Sequence, residues 1–502
     1  NGLMISLRYL ILLICILSGA CTVSAQMPIK LRVLREVPPD SADVAYYSKP
    51  HFWRAAGEVV GFNLGLWAFD RYVQRGDFAY ISMNSVKENF RKGFKWDNDK
   101  LGTNMFLHPY NGSLYYNSAR SNGFNYWQSA LFSIGGSAMW ELFMECEYPS
   151  TNDIIATPIG GTAIGEVFFR ASDAIIDDRD TGASRFGREA AVFVISPMRG
   201  LTRIITGDAW RVRPTRGRLY GTPPVSVEFS VGTRGIYLND EASSSAVGAT
   251  AEINVEYGDR FEVTSTKPFD YFTVRADFGV VSRQPLLSQL NIKGRLIARE
   301  IYDIASRKMS VGLYQHFDYY DSDTIHKADP SHVSRVPYKL GIPASLGAGW
   351  MFRDASNPQW TLDTYLHGNV VMLGSILSDY YHVDERNYNL ASGFSIKGGV
   401  NFVFNRDRFS ASLSHEYYRL FTWKGYHRDT NLARSDPRTL DVQGDHSAAS
   451  FNVSELRADL RIWNKLYLSA AVSHYHRSTR YRDYPHVKSN TTGVRVMLTY
   501  KL

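Results

Sequence analysis

Four glutamates stand in otherwise apolar stretches of the N-terminal half: Glu58, Glu141, Glu145 and Glu166. A carboxylate among apolar neighbours is costly unless it is paired or neutralised, and such perturbed groups are where acid–base or metal chemistry is built. Glu141 and Glu145 are four residues apart, so a helix would put them on one face. Gly-Glu-Val occurs at 57–59 and again at 165–167, which sets Glu58 and Glu166 in similar surroundings. His108, Arg54, Arg120 and Arg170 are the available partners. The functional reading is a site in which His108 and two or more of these glutamates act as general acid and base, or in which His108, Glu141 and Glu145 hold a metal. The competing reading is an ion-pair network that ties a helical bundle together. Helical di-metal carboxylate sites use Glu-x-x-His on paired helices, and this pattern does not occur, so the cofactor stays unknown.

Two runs further on, Ser414-His415-Glu416 and Ser473-His474-Tyr475-His476, carry the residue types of a lipid-cleaving serine enzyme. That chemistry requires a base within hydrogen-bond reach of the hydroxyl and a third group to orient it, which adjacency alone does not supply. The sequence has no Gly-x-Ser-x-Gly elbow, phosphate loop, dinucleotide fingerprint or His-Glu-x-x-His zinc motif. A third candidate is cationic. Eight arginines between 185 and 218 face only Glu189 and Asp208, about +6 of the chain's net +7. This predicts a collar at the periplasmic rim in which Arg211, Arg213, Arg216 and Arg218 contact lipid phosphate.

The acidic candidates require helices to position them. Glycines recur at 57, 61 and 65 in the stretch 51–73, at 135 and 136 in 126–147, and at 160, 161 and 165 in 154–170. A four-residue glycine spacing leaves a smooth helical face that another backbone can approach closely. Ser150-Thr151-Asn152-Asp153 has the form of an N-cap with an acidic third residue, so Ser150 and Asp153 are expected to start a helix. These helices are too short to span a bilayer unaided and apolar on most sides. They are expected to pack on one another and against the barrel mouth or the inner leaflet, as a periplasmic domain.

HPYNGSLYYNSAR from His108, Trp140-Glu141-Leu142-Phe143, the stretch from Pro149 to Asp153, and Thr157-Pro158-Ile159-Gly160-Gly161 together make the region resemble a bacterial family, domain-of-unknown-function family 3943, over roughly residues 94–176. The resemblance implies a Gram-negative outer-membrane protein. It supplies no activity and no catalytic residues.

From about residue 224 the chain becomes a series of alternating segments. In 338–352, Leu340, Ile342, Ala344, Leu346, Ala348, Trp350 and Phe352 are predicted to share a face, and the chain ends on Val494, Val496, Leu498, Tyr500 and Leu502 in the same period. About twelve strands are predicted, beginning near Val225, Val247, Phe269, Leu290, Met309, Tyr338, Trp360, Leu390, Phe409, Phe451, Leu466 and Thr492. Short turns after the fourth, sixth, eighth and tenth alternate with long polar loops after the fifth, seventh, ninth and eleventh. That sorting belongs to a transmembrane barrel with both ends in the periplasm. The connection 258–267 is longer than this pattern allows. Glu228, Glu252, Glu256, Arg275, Lys293, Arg295, Arg299, Arg457, Asp459 and Arg461 are predicted to face inward, where opposite charges can close a narrow lumen.

Among the 502 residues 14% are aromatic and 21% charged, which excludes a disordered chain, and a net charge of +7 is too small for a nucleic-acid binder. Met4 to Arg8, an apolar run and Val23-Ser24-Ala25 read as a signal peptide. A second reading of the leader lipidates Cys21. Cys146 would then be the mature chain's one thiol, with no internal disulfide. The predicted organisation is a signal peptide (1–25), a Gly/Ala-rich helical periplasmic domain (26–184), an Arg-rich connector (185–223) and an all-β transmembrane barrel (224–502) in the bacterial outer membrane. Its partners are then the outer membrane and lipopolysaccharide, with no nucleic acid. Three roles follow: envelope structure or narrow-solute passage, a hydrolase of outer-membrane lipid or lipopolysaccharide, or a subunit of a larger outer-membrane assembly.

Overall fold

Alternation of apolar and polar residues along the C-terminal part dictates strands with one wet and one dry face, and twelve of them form. The computed structural model describes residues 37–239, 245–263, 267–304, 306–325, 336–384 and 386–502; the leader, its cleavage site and Cys21 lie outside these residues. The strands are β1 (Val225–Leu238), β2 (Ser245–Tyr257), β3 (Phe272–Val280), β4 (Leu287–Ile304), β5 (Arg307–Asp321), β6 (Lys339–Asn357), β7 (Trp360–Leu377), β8 (Tyr388–Phe404), β9 (Phe409–Phe421), β10 (Ser447–Trp463), β11 (Leu466–Tyr481) and β12 (Val487–Lys501). Each pairs antiparallel with its neighbours, and β1 pairs with β12 to close the barrel. This is the build of an outer-membrane β-barrel: every strand edge is paired, and an apolar belt including Val231, Leu456, Val472 and Val496 is exposed around the outside.

Every strand begins within five residues of its expected start. The loop pattern holds with one correction. The β11–β12 connection is five residues rather than a long loop, because both strands run past the predicted ends. The long β2–β3 connection turns back into the barrel, where Phe261 packs with Tyr271, Tyr314 and Met351. The predicted single face of β6 is also corrected. Register shifts around Ala344 reset the alternation, so Leu340 and Ile342 point inward while Leu346 remains on the outside. A similar shift between Arg295 and Ile297 turns Arg299 outward beside Val311.

Ion pairs cross the lumen. Arg275 on β3 reaches across to Glu455 on β10 at 2.6 Å, Arg457 pairs with Glu252, and Arg495 pairs with both Asp277 and Glu455. Nearer the long loops, Tyr320, Tyr338, Tyr418, Phe451 and Tyr475 form an aromatic lid, with Tyr338 and Tyr475 stacked at 4.6 Å.

The N-terminal part forms eight helices among the described residues: α1 (Ser41–Tyr47), α2 (Phe52–Phe69), α3 (Met83–Lys92), α4 (His108–Ser121), α5 (Tyr126–Met139), α6 (Asp153–Ile175), α7 (Gly182–Ile195) and α8 (Pro197–Thr206). Most of α7 and all of α8 lie in 185–223, the expected connector, which is therefore largely helical. The closest crossing is α4 on α6: a Cβ on Gly112 would stand 1.8 Å from the Thr157 carbonyl oxygen, and one on Gly161 would stand 2.6 Å from the Gly112 Cα. By contrast, the glycine stripe of α2 packs on nothing, for no atom lies within 4 Å of a Cβ built at Gly57, Gly61 or Gly65.

The domain does not sit at the barrel mouth. It lies along the outer wall. On β5 the outward residues Val311 and Leu313 are exposed, whereas Gln315, Phe317 and Tyr319, next along the same face, are buried under helices. Gln315 donates to the Ile159 carbonyl and accepts from the Tyr126 hydroxyl, Phe106 packs edge-on to Tyr319, and Gly160 abuts Pro343. One end of the layer is tied to the β2–β3 connection through Arg170 and the Pro268 carbonyl. The other reaches the long loops, where Arg386 donates to the Asp97 carbonyl and Tyr381 to Asn98.

Candidate functional site

Glu166 projects from α6 between two cations, receiving Arg120 Nε at 2.8 Å, Arg170 Nε at 2.9 Å and the Tyr116 hydroxyl at 2.7 Å. Burial alone would raise its pKa, but the two guanidiniums prevail and hold the carboxyl below its usual range. Every oxygen is spoken for, so this is an ion-pair network. Glu58, its sequence twin, has no such partner. It accepts from Thr202 Oγ1 at 3.0 and 2.9 Å and from Asn122 at 3.0 Å, and burial pushes it up to about 7 despite these bonds.

Glu141 and Glu145 do not share a regular helical face. After α5 the chain makes a π turn at Trp140–Met144, and Glu145 is already extended. The turn nevertheless keeps the two carboxyls together. Glu141 accepts from the Ser150 amide at 2.7 Å and Glu145 from the Trp140 indole at 3.2 Å. Burial, then mutual repulsion, pushes Glu141 well above the ordinary carboxyl range. The predicted cap forms in part: the Ser150 hydroxyl accepts from the Asp153 amide, but Glu141 rather than Asp153 takes the Ser150 amide.

His108 begins α4 and faces aspartates, among them Asp153 of the expected cap, rather than the glutamates. Its Nε2 stands 3.5 Å from both Asp99 and Asp153. Burial would lower its pKa, yet Asp153 and Asp99 outweigh that and hold it up to about 9. Asp97 accepts from Ser150 Oγ at 2.8 Å and from Asn152 at 2.7 Å; although burial opposes ionisation, hydrogen bonds from Asp153, Asn152 and Ser150 keep it below the usual range. Asn104 joins this cluster to the barrel through the Tyr388 hydroxyl at 2.7 Å. The Asp97-Asn98-Asp99 run was visible in the sequence, but nothing there said that it folds onto His108.

Chemically, the neighbouring Asp153 and Asp99 carboxyls favour the protonated form of His108, which makes it a weaker base than a free imidazole. Among the described residues no three His, Cys, Asp or Glu side chains lie where they could hold a metal, so His108, Glu141 and Glu145 are not assembled as a ligand set. The two serine–histidine runs are separated by the strand period. Ser473 faces the lumen and donates to Glu455, while His474, one residue on, points outward to Thr492. His415 likewise sits on the outer face beside Ser454.

The arginine surplus is largely neutralised within the fold. Arg199 pairs with Asp173, Arg203 with Asp178 and Glu189, and Arg185 with Asp178. Of the four proposed lipid contacts, Arg213 pairs with Asp208 at 2.9 Å, Arg211 with Asp208 at 3.2 Å, Arg216 donates to Thr222 and Arg218 to the Ile176 carbonyl. The aspartates at 173, 177, 178 and 180 lie just upstream of the window in which the charge was counted. Of the four, Arg211 is half exposed and Arg216 partly exposed, so these two retain some access to a headgroup.

Residues 93–198 match a family described as a domain of unknown function, DUF3943, a match that runs beyond the resemblance read from the motifs and takes in α7. No curated protein matches the chain. Solved structures similar to it include the NanC porin (10% identity, 55% of this chain and 100% of that one, TM-score 0.25), the KdgM porin (7%, 55% and 98%, 0.22) and the Pseudomonas putida toluene transporter TodX (7%, 55% and 89%, 0.22).

Proposed function

We propose that this chain is a closed, non-conducting barrel of the bacterial outer membrane with a structural role in the envelope. The observation that carries this reading is the bridge across the lumen from Arg275 to Glu455, backed by Arg495 and Arg457 and overlain by the aromatic lid. Fixed charges that satisfy one another across the lumen oppose a continuous aqueous path of solute width. Purified protein in planar bilayers is expected to give no discrete conductance steps, and stable steps would favour narrow-solute passage instead. Fractionation of cells should place the chain with lipopolysaccharide-containing membranes.

A second reading, an enzyme acting on outer-membrane lipid, is favoured by one feature, the protonation-prone Glu141–Glu145 pair beside Ser150. Release of fatty acid from outer-membrane lipid that disappears in Glu141→Gln, while the barrel stays folded, would support it.

A further inference from the structure

We propose that the helical domain lies in the membrane beside the barrel, with the outer faces of α2 and α5 in contact with lipid acyl chains. Around α2, α4 and α5 the polarity is inverted relative to a water-soluble bundle. Ser113, Asn117, Ser118, Ser129 and Ser133 are buried between the helices, together with the Glu166 ion pairs, while large apolar side chains are outside. On α2, Trp53 is 84% exposed, and Val60, Leu64 and Phe69 lie open beside the bare glycine stripe. On α5, Trp127, Leu131 and Ile134 are exposed, Leu131 at 66%. From Tyr126 to Met139 there is no charged residue, and the only one between Ala55 and Phe69 is Glu58, which turns inward to Asn122 and Thr202. A face this apolar and this long, roughly 20–27 Å at 1.5 Å per residue, is not left to water by a soluble domain.

The occupant follows from continuity with the barrel's belt. The row of paired residues that starts at Gln315, beneath α6, passes through Leu346 and Val370 to Phe394, and those three are exposed on the outer wall. The helices therefore sit on the same band of wall that elsewhere meets hydrocarbon, and their outer faces prolong it. Among the described residues no helix is long and apolar enough to cross a membrane. The wall supplies what they lack, covering the polar seam of α4 and α6.

The test uses the full-length chain, with its native cysteines replaced by serine, refolded in phosphatidylcholine vesicles. Single nitroxide labels are placed at Leu64, at Leu131, at Val496 in the barrel belt and at Arg428 in a long loop. A gel shift between unheated and heated samples confirms that each variant is folded. Relaxation by oxygen, which concentrates in hydrocarbon, is compared with relaxation by a water-soluble nickel chelate. Labels at Leu64 and Leu131 are expected to favour oxygen several-fold over Arg428 and to match Val496. A preference for nickel at either helix position would put that face in water and overturn the proposal. So would low collision with both reagents, which would mean that a protein surface, such as a second copy on the glycine stripe, covers it.

Discussion

On β10, Glu455, Arg457 and Asp459 turn into the lumen while Leu456, Leu460 and Ile462 are exposed outside, because successive side chains of a strand leave opposite faces. On α2, Glu58 turns in and Val60 and Leu64 turn out, with no alternation to announce it. Along these two elements the charges of β10 and Glu58 of α2 lie inside while the apolar side chains lie outside. The barrel does so by a period that any two residues reveal. The helical domain does so with small polar residues inside and Gly/Ala-rich helices whose two faces look alike in sequence. The two Gly-Glu-Val runs make the point: a Cβ on Gly165 would meet the Tyr116 ring at 2.7 Å, whereas Gly57 faces open space.

The largest effects are expected at the two charge networks. Glu166→Ala leaves Arg120 and Arg170 buried without their shared carboxylate, and should cost about 3–5 kcal/mol, read as a lower urea midpoint for the folded, heat-modifiable species. Glu455→Gln should cost less, about 1.5–3 kcal/mol, since Arg275 and Arg495 keep Asp277. If the lumenal variant proves the more damaging, the helical domain is the less organised of the two polar interiors. Next comes the close crossing. Gly112→Ala drives a methyl into the Thr157 carbonyl and should cost about 1–3 kcal/mol.

His108 gives a pH test. Its folded pKa is held above the unfolded value, so its contribution is complete below about 6.5 and is lost as pH rises through about 9. Wild-type stability should fall across that window relative to pH 6, and His108→Gln should flatten the profile. The smallest effect is expected at Gly61→Ala on the open stripe, a gain of about 0.5–1 kcal/mol from helix propensity alone. A clear loss there would mean that a backbone packs on the stripe in the membrane.

The barrel was legible because strand period, turn chemistry and loop length are local. The departures sit at β-bulges near Ala344 and Ile297, where one extra residue resets the alternation; Pro343, which cannot donate to a ladder, marks the first in the sequence, whereas nothing in the residue types marks the second. The candidate site was legible only as an inventory. The isolated glutamates, His108 and the arginines could be named, but their partners were set elsewhere. Asp173 and Asp178 absorb the arginine surplus from outside the counted window, and Asp99 and Asp153 claim His108.

Local periodicity suffices for a twelve-stranded barrel with a charged lumen and for a Gly/Ala-rich helical region before it, since short segments carry each of these patterns. Long-range packing sets the rest: the helices lie on the outer wall, Glu166 and not Glu58 is ion-paired, and the α2 glycines remain open. Those outcomes depend on which surfaces meet across 50 to 300 residues of chain, as Tyr116 meets Glu166 and Asn104 meets Tyr388, and a helix that is apolar all round does not encode which of its faces will find protein and which will find lipid.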